Sequence, residues 1–252
     1  MFKIVMCTFV EGAISAACIS VQEKLERPLL WAACRHHIGE VILTWIWMAL
    51  LIEVSKSPEI ALFVRLRDNF EDLSYNDFSN LHFLELEDEL LVLKEQVLER
   101  IDSVLSDKNF KYRGDYLQCL KLIRLALTGD TDGFHFSRLP GFNKARWMGK
   151  IIGALDLTLL QKKIFSELPW NSVMTLKQAA LLDRFVKFVC LVYIKWWIRC
   201  PLIAESGMVD LELLSDIRAY PDPVISQAAE KALRRHLWNL TEEFSPVCIF
   251  SS

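Results

Sequence analysis

Cys34, His36 and His37, in the run LLWAACRHHIGEVIL (29–43), are the side chains whose types best suit metal or nucleophile chemistry. Cys34 and His37 stand three residues apart, which places them on one face of a helix. Three readings follow: two ligands of a metal, a thiol beside an imidazole base, or a pair packed in a core. A structural zinc takes four Cys or His ligands, and a catalytic one takes three from the protein. Only one pair is visible, because His82, His135 and His236 stand alone with no second ligand at metal spacing. A nucleophilic thiol needs a lowered pKa and an oriented base, and an apolar helical run supplies neither. Residue chemistry favours the core: Cys34 and His37 are expected between helices, His36 more exposed, with no metal and no cofactor.

Two other places hold candidate chemistry. In NKARWMGKII (143–152), Lys144, Arg146 and Lys150 surround Trp147. An Arg-Trp pair can hold a phosphate and stack a base; equally, the Trp can lie in a helix interface under a snorkelling Arg. In RRHLWNLTEEF (234–244), Glu242 and Glu243 are paired carboxylates able to hold magnesium or move a proton, or simply solvated charges at a helix end.

The elements that must position these residues are helices. The chain has 252 residues, 52% hydrophobic, with eight Trp and fifteen Phe against nine Gly and eight Pro, a balance that favours long helices over many short strands. One strand is predicted, KIVMCTFV (3–10), closed by Glu11-Gly12. Helices are predicted over about 29–54, from Ser57 as cap and Pro58 as first residue to about Asn69, over 85–107, 113–127, 144–166 and 176–199, near 209–218, and from an Asp222 cap with Pro223 to about Glu243. Segments 69–84 and 129–143 read as loops. The fold class expected is mainly α: an irregular multi-helix array with one vestigial N-terminal β-strand.

Charge is uneven around a net −3, which gives no global attraction to nucleic acid or an anionic membrane. Residues 85–107 hold eight acidic and two basic side chains, and 138–163 hold six basic and one acidic, Asp156. Both stretches read as solvated helix faces, with a binding surface as the alternative. Seven cysteines, none in a C-x-x-C, and no recognisable signal peptide suggest reduced thiols in an intracellular protein. Val41–Ile52 is bracketed by Glu40 and Glu53 and is too short to span a bilayer, so no membrane partner is expected.

Taken in order, the motifs resemble the hAT-type cut-and-paste DNA transposases: a Cys-x-x-His (Cys34, His37), then Arg146-Trp147, then a terminal helix with a Glu. The matching stretches are 16–43, 57–70, 145–152 and 234–250. The resemblance implies an RNase H-like core interrupted by an all-helical insertion, here residues 1–28 as a remnant of the core and 29–252 as the insertion with the helix that returns to it. It implies that Cys34 and His37 help shape the insertion and that Trp147 stacks on an unpaired base. It places Glu242 or Glu243 at the third catalytic acid, and it implies a nuclear location.

The chain departs from that pattern where chemistry requires most. The strand before the insertion should carry a catalytic Asp, but it reads IVMCTFVEG, and the first aspartate anywhere is Asp68. Two-metal strand transfer needs carboxylates to hold both ions. The expectation is a catalytically inactive, truncated, transposase-like protein, not an enzyme, with weak DNA binding through Lys144, Arg146, Trp147 and Lys150. The alternative is a helical protein–protein interaction module, with no nucleic-acid role, that uses the acidic 85–107 helix. If Trp147 stacks on bases, Trp147→Ala should weaken single-stranded or hairpin DNA binding by about 1–3 kcal/mol, roughly 5- to 150-fold, with the thermal midpoint unchanged. A fall in thermal midpoint with no change in DNA affinity would place the ring in the core instead.

Overall fold

The computed structural model describes residues 4–7, 23–24, 26, 30–33, 35–53, 59–107, 113–137, 148–199 and 206–234; at 4–7, 30–33, 35–37 and 206 only the backbone is described. The chain is mainly helical. At its start, Ile4–Cys7 (β1) runs parallel to Leu30–Ala33 (β2), with Ile4 opposite Leu30 and Cys7 opposite Ala33. The rest of the strand expected over 3–10 lies outside the described residues. β2 occupies what the spacing reads as the first turn of a helix from about 29, and that helix, α1, spans Arg35–Leu50.

α1 is apolar on most sides: Ile38, Ile42, Leu43, Ile46, Trp47 and Leu50 are all buried. Leu51, at φ +53°, ends it in a left-handed turn. The next helix, α2 (Ala61–Asp68), begins three residues later than Pro58, and its expected Ser57 cap lies outside the described residues. One of its first-turn donors, the Leu62 amide, goes to Glu53 Oε2 at 2.7 Å. The other Glu53 oxygen binds Arg65 at 3.0 Å, and Arg65 also donates to the Val173 carbonyl at 2.7 Å. One carboxylate therefore starts α2 and fastens it.

Residues 69–84 are irregular after a single 3-10 turn, Phe70–Asp72, as their aperiodic composition predicts. A second such turn, Asp88–Leu90, opens α3 (Leu91–Ser106). α4 (Gly114–Thr128) closes at Gly129, at φ +73°, the left-handed C-terminal position that glycine occupies without strain. The helix expected over 144–166 is two: α5 (Met148–Leu159) and α6 (Gln161–Glu167), divided at Leu160. A Thr175–Gln178 capping box starts α7 (Leu176–Phe188). It continues through a wider π turn, Val189–Tyr193, into α8 (Ile194–Arg199). α9 spans Ser206–Ala219 and α10 spans Pro223–Arg234. Asp222 caps α10 as expected, its Oδ1 accepting from the Val224 and Ile225 amides at 3.1 and 3.3 Å.

α5 lies at the centre, with α4 and α7 against it and α2 touching one side. Every residue of α5 is buried except Lys150, which is half-buried. Of the basic stretch 138–163, residues 138–147 lie outside the described residues. Within the rest, Lys162 is exposed as expected of a solvated face, whereas Lys150 is half-buried and Lys163 buried, which corrects the expectation for those two. Ile151, Ile152, Ala154, Leu155, Leu157 and Leu159 make α5 apolar all round, and such a helix must be enclosed. The acidic stretch behaves as expected: all eight carboxylates of 85–107 are exposed. No described helix is long and apolar enough to cross a membrane.

α1 packs most extensively on α10, where Lys231 lies 5.3 Å from the centre of the Trp45 ring, and it also packs on α7. It runs antiparallel to the 176–199 helix. Gln178 donates to the Ile52 carbonyl, Trp47 meets Phe185 edge-on at 5.2 Å, and Gly39 faces Tyr193 and Trp196. A Cβ on Gly39 would lie 2.6 Å from the Tyr193 hydroxyl oxygen and 2.8 Å from Trp196. Gly39→Ala is therefore expected to cost about 1–3 kcal/mol through overpacking, read as a lower thermal midpoint. Gly114→Ala, with nothing within 4 Å of its Cβ, should not lower it; equal midpoints for the two variants would show that this contact yields.

Candidate functional site

Four polar features among the described residues bear on what the chain can do, and each answers differently. The first follows the π turn. There the Ile194 amide donates to the Val189 carbonyl, five residues back. Beyond it, α8 points three polar side chains at acidic residues of α9. The Trp196 indole N–H donates to Asp210 at 2.8 Å in a buried setting, Lys195 lies 2.6 Å from Asp216, and Arg199 pairs with Glu212. Lys195 and Asp210 are both buried. Buried, paired charges fix a register more than they add stability, since desolvation offsets most of the attraction. This ladder locks α9 onto α8, and its Trp196 also lies against Gly39 of α1.

The second grouping joins the 69–84 loop to α6. Ser74 gives its amide to Glu167 Oε2 at 2.7 Å and its hydroxyl to Glu167 Oε1 at 2.5 Å. Lys163, only 1% exposed, donates to the Ser74 Oγ at 3.0 Å and lies 3.5 Å from both Asp77 and Glu167. A serine beside a buried lysine resembles a nucleophile with its base, but the charges argue otherwise. Against some burial, the Ser74 hydrogen bonds and the Lys163 charge hold the Glu167 carboxyl below its ordinary range, making it a poor base. The Ser74 hydroxyl proton is directed at Glu167, and the Ser74 oxygen accepts from Lys163. The cluster fastens a loop and does not activate a nucleophile.

The third is Asp156, wholly buried in α5, with no hydrogen-bond partner for either carboxyl oxygen among the described residues. Burial raises its pKa well above the ordinary range, which favours the neutral acid. The buried thiols of Cys119 and Cys190 are pushed up as well, first by burial, so neither is a ready thiolate. Among the described residues no group of three His, Cys, Asp or Glu could hold a metal.

The fourth is the acidic face of α3 and the residues before it. Glu87 pairs with Lys187 and Asp102 with Arg124, while Glu85, Asp88, Glu89, Glu95 and Glu99 have no ion pair among the described residues. Leu91 and Val92, 41% and 61% exposed, lie among these carboxylates.

Of the residues singled out by sequence, Cys34, Lys144, Arg146, Trp147, Glu242 and Glu243 lie outside the described residues, as do the side chains of His36 and His37. Lys150 is described. Its ammonium turns inward to donate to the Thr44 hydroxyl at 2.8 Å, and burial lowers its pKa to about 8, with Glu40 opposing the shift. No known family model matches the chain, and no curated protein or solved structure matches it either.

The Asp156 carboxyl gives the fold a pH dependence of known sign. Its folded pKa is raised, so stability is fully present below the unfolded value near 3.8 and falls as pH rises toward the folded pKa. The slope is at most about 1.4 kcal/mol per pH unit. Asp156→Asn should therefore unfold at a higher temperature than the parent at pH 7, with the gap closing toward pH 4. A gap that is constant with pH would mean that the carboxyl ionises in the folded chain as it does in the unfolded one.

Proposed function

We propose that this chain acts by binding, as a helical interaction module for a protein partner, and performs no chemistry of its own. One contrast supports this reading above others. The described basic candidate Lys150 is turned into the α1–α5 interface and Lys163 is buried, whereas the acidic residues of 85–107 stand in solvent around exposed Leu91 and Val92. A phosphate backbone is repelled by such a face. A basic amphipathic segment meets both its charges and its apolar pair.

A second reading is a transposon-derived, RNase H-like remnant that holds DNA weakly. It is supported by the order of the elements, a short parallel backbone pair followed by helices, which is the order expected of a core leading into a helical insertion. In that reading Lys144, Arg146 and Trp147 make the DNA contacts, Lys150 acts from behind them, and the protein is nuclear.

Fluorescence anisotropy on the whole chain separates the two. A labelled Lys/Arg-rich amphipathic peptide should bind, more weakly at higher salt, and the double variant Glu95→Lys, Glu99→Lys should weaken it by about tenfold. Hairpin DNA should show no saturable binding at physiological salt. Saturable, salt-dependent DNA binding with no peptide binding would overturn the interaction-module reading in favour of the second.

A further inference from the structure

Among the described residues, Ser74 makes most of the hydrogen bonds that join the loop to α6: its amide and hydroxyl donate to Glu167 and its oxygen accepts from Lys163, with a longer contact from Lys163 to Asp77 beside them. Its hydroxyl sits between Lys163 and Glu167, yet the residue itself is exposed, as are Glu71, Asp72, Asn76 and Asp77 beside it. From Leu73 to Glu87 the segment has no helix or strand, so a foreign active site can draw it out without breaking a ladder of backbone bonds. Carboxylates lie on both sides: Glu71 and Asp72 before the serine and Asp77 three residues after it. That is the charge pattern which a serine/threonine kinase with a basic substrate groove selects.

We propose that Ser74 is a phosphorylation site for a kinase of that acid-directed class, and that the modification releases the 69–84 loop from α6. The transfer forms a bond from Ser74 Oγ to the γ-phosphorus of a nucleoside triphosphate. It breaks that phosphorus's bond to the departing diphosphate, and the hydroxyl proton passes to the kinase's base. Release follows from the geometry. The modified oxygen has no proton left to give Glu167, and a phosphate of about −1.5 to −2 charge then stands against two carboxylates with only Lys163 to balance them. Lys163 can stay with the phosphate; Glu167 cannot, and the bond from the Ser74 amide is lost with it.

What the latch holds closed is apolar. Leu73 is buried, Phe70 stacks on Tyr75 with ring centres 4.5 Å apart, and Phe78 packs on Phe134 and Phe136. Further along, the His82 amide donates to the Leu159 carbonyl and the Leu84 amide to the Ala126 carbonyl, so the far end of the loop stays anchored. The opening is therefore confined to about residues 73–80.

The test treats the whole chain with an acid-directed serine/threonine kinase and ATP, beside a control acidic peptide, and reads the product by tandem mass spectrometry and amide hydrogen exchange. The expected result is one phosphate at Ser74, absent from Ser74→Ala. Exchange over 73–80 should be at least about tenfold faster than in the unmodified chain, while exchange in α5 is unchanged. Phosphatase treatment should restore the slow exchange. Phosphorylation of the control peptide but not of Ser74, or a phosphate on Ser79 in its place, would overturn the assignment. A phosphate on Ser74 that leaves exchange at 73–80 unaltered would overturn the latch.

Discussion

The enclosure of α5 constrains the rest of the molecule. A helix that is apolar around its whole circumference cannot rest on a surface, so α4, α7 and α2 must be brought to it from three separate parts of the chain. That enclosure leaves Asp156 buried without a hydrogen-bond partner among the described residues and turns Lys150 to the Thr44 hydroxyl. It also explains why Gly153 is tolerated in mid-helix: the Phe63 ring lies so close that a Cβ would come within 2.8 Å of it. The helix gives up backbone restriction there and gains an aromatic contact.

Around that centre, charged side chains mainly fix positions. Glu53 starts α2, Asp222 starts α10 and holds Arg184 through both its oxygens, and the acids of α9 grip α8. Few of these pairs would contribute much stability in isolation. Their combined effect is to exclude alternative alignments of helices whose apolar surfaces alone would pack in more than one way.

Much of this architecture was legible in the sequence. Steps of three and four between apolar residues marked α3, a long apolar run marked α7, Gly129 and Asp222 marked helix ends, and the mixed composition of 69–84 marked a loop. The illegible parts have physical causes. Ser57-Pro58 has the form of a helix start, but the helix begins at Ala61, and the Glu53 carboxylate that takes its Leu62 amide is a partner no local rule anticipates. Lys150 and Lys163 suggested a wet surface because a count of charges does not register which side of a helix has neighbours. Asp156 was visible as the one acid of the basic stretch 138–163, yet its buried carboxyl emerges only once the surrounding helices are in place. Lys163 and Glu167 stand one helical turn apart, but Ser74 reaches them from a distant part of the chain, and nothing in the spacing connects it to them.

The π turn at Val189–Tyr193 has a bearing on how the long 176–199 segment tolerates change. A turn closed by a five-residue bond holds one residue more than an ordinary helical turn, and each residue advances an α-helix by about 100°. α8 is thus out of phase with α7: the stripe that α7 presents inward through Leu182, Phe185 and Val186 does not continue along the same line into Lys195 and Trp196. Removing a single residue from the turn would let an unbroken α-helix form, and would swing Lys195, Trp196 and Arg199 together away from Asp216, Asp210 and Glu212. The surplus residue behaves as a spacer that sets an angle, and its presence matters more than the identity of its side chain.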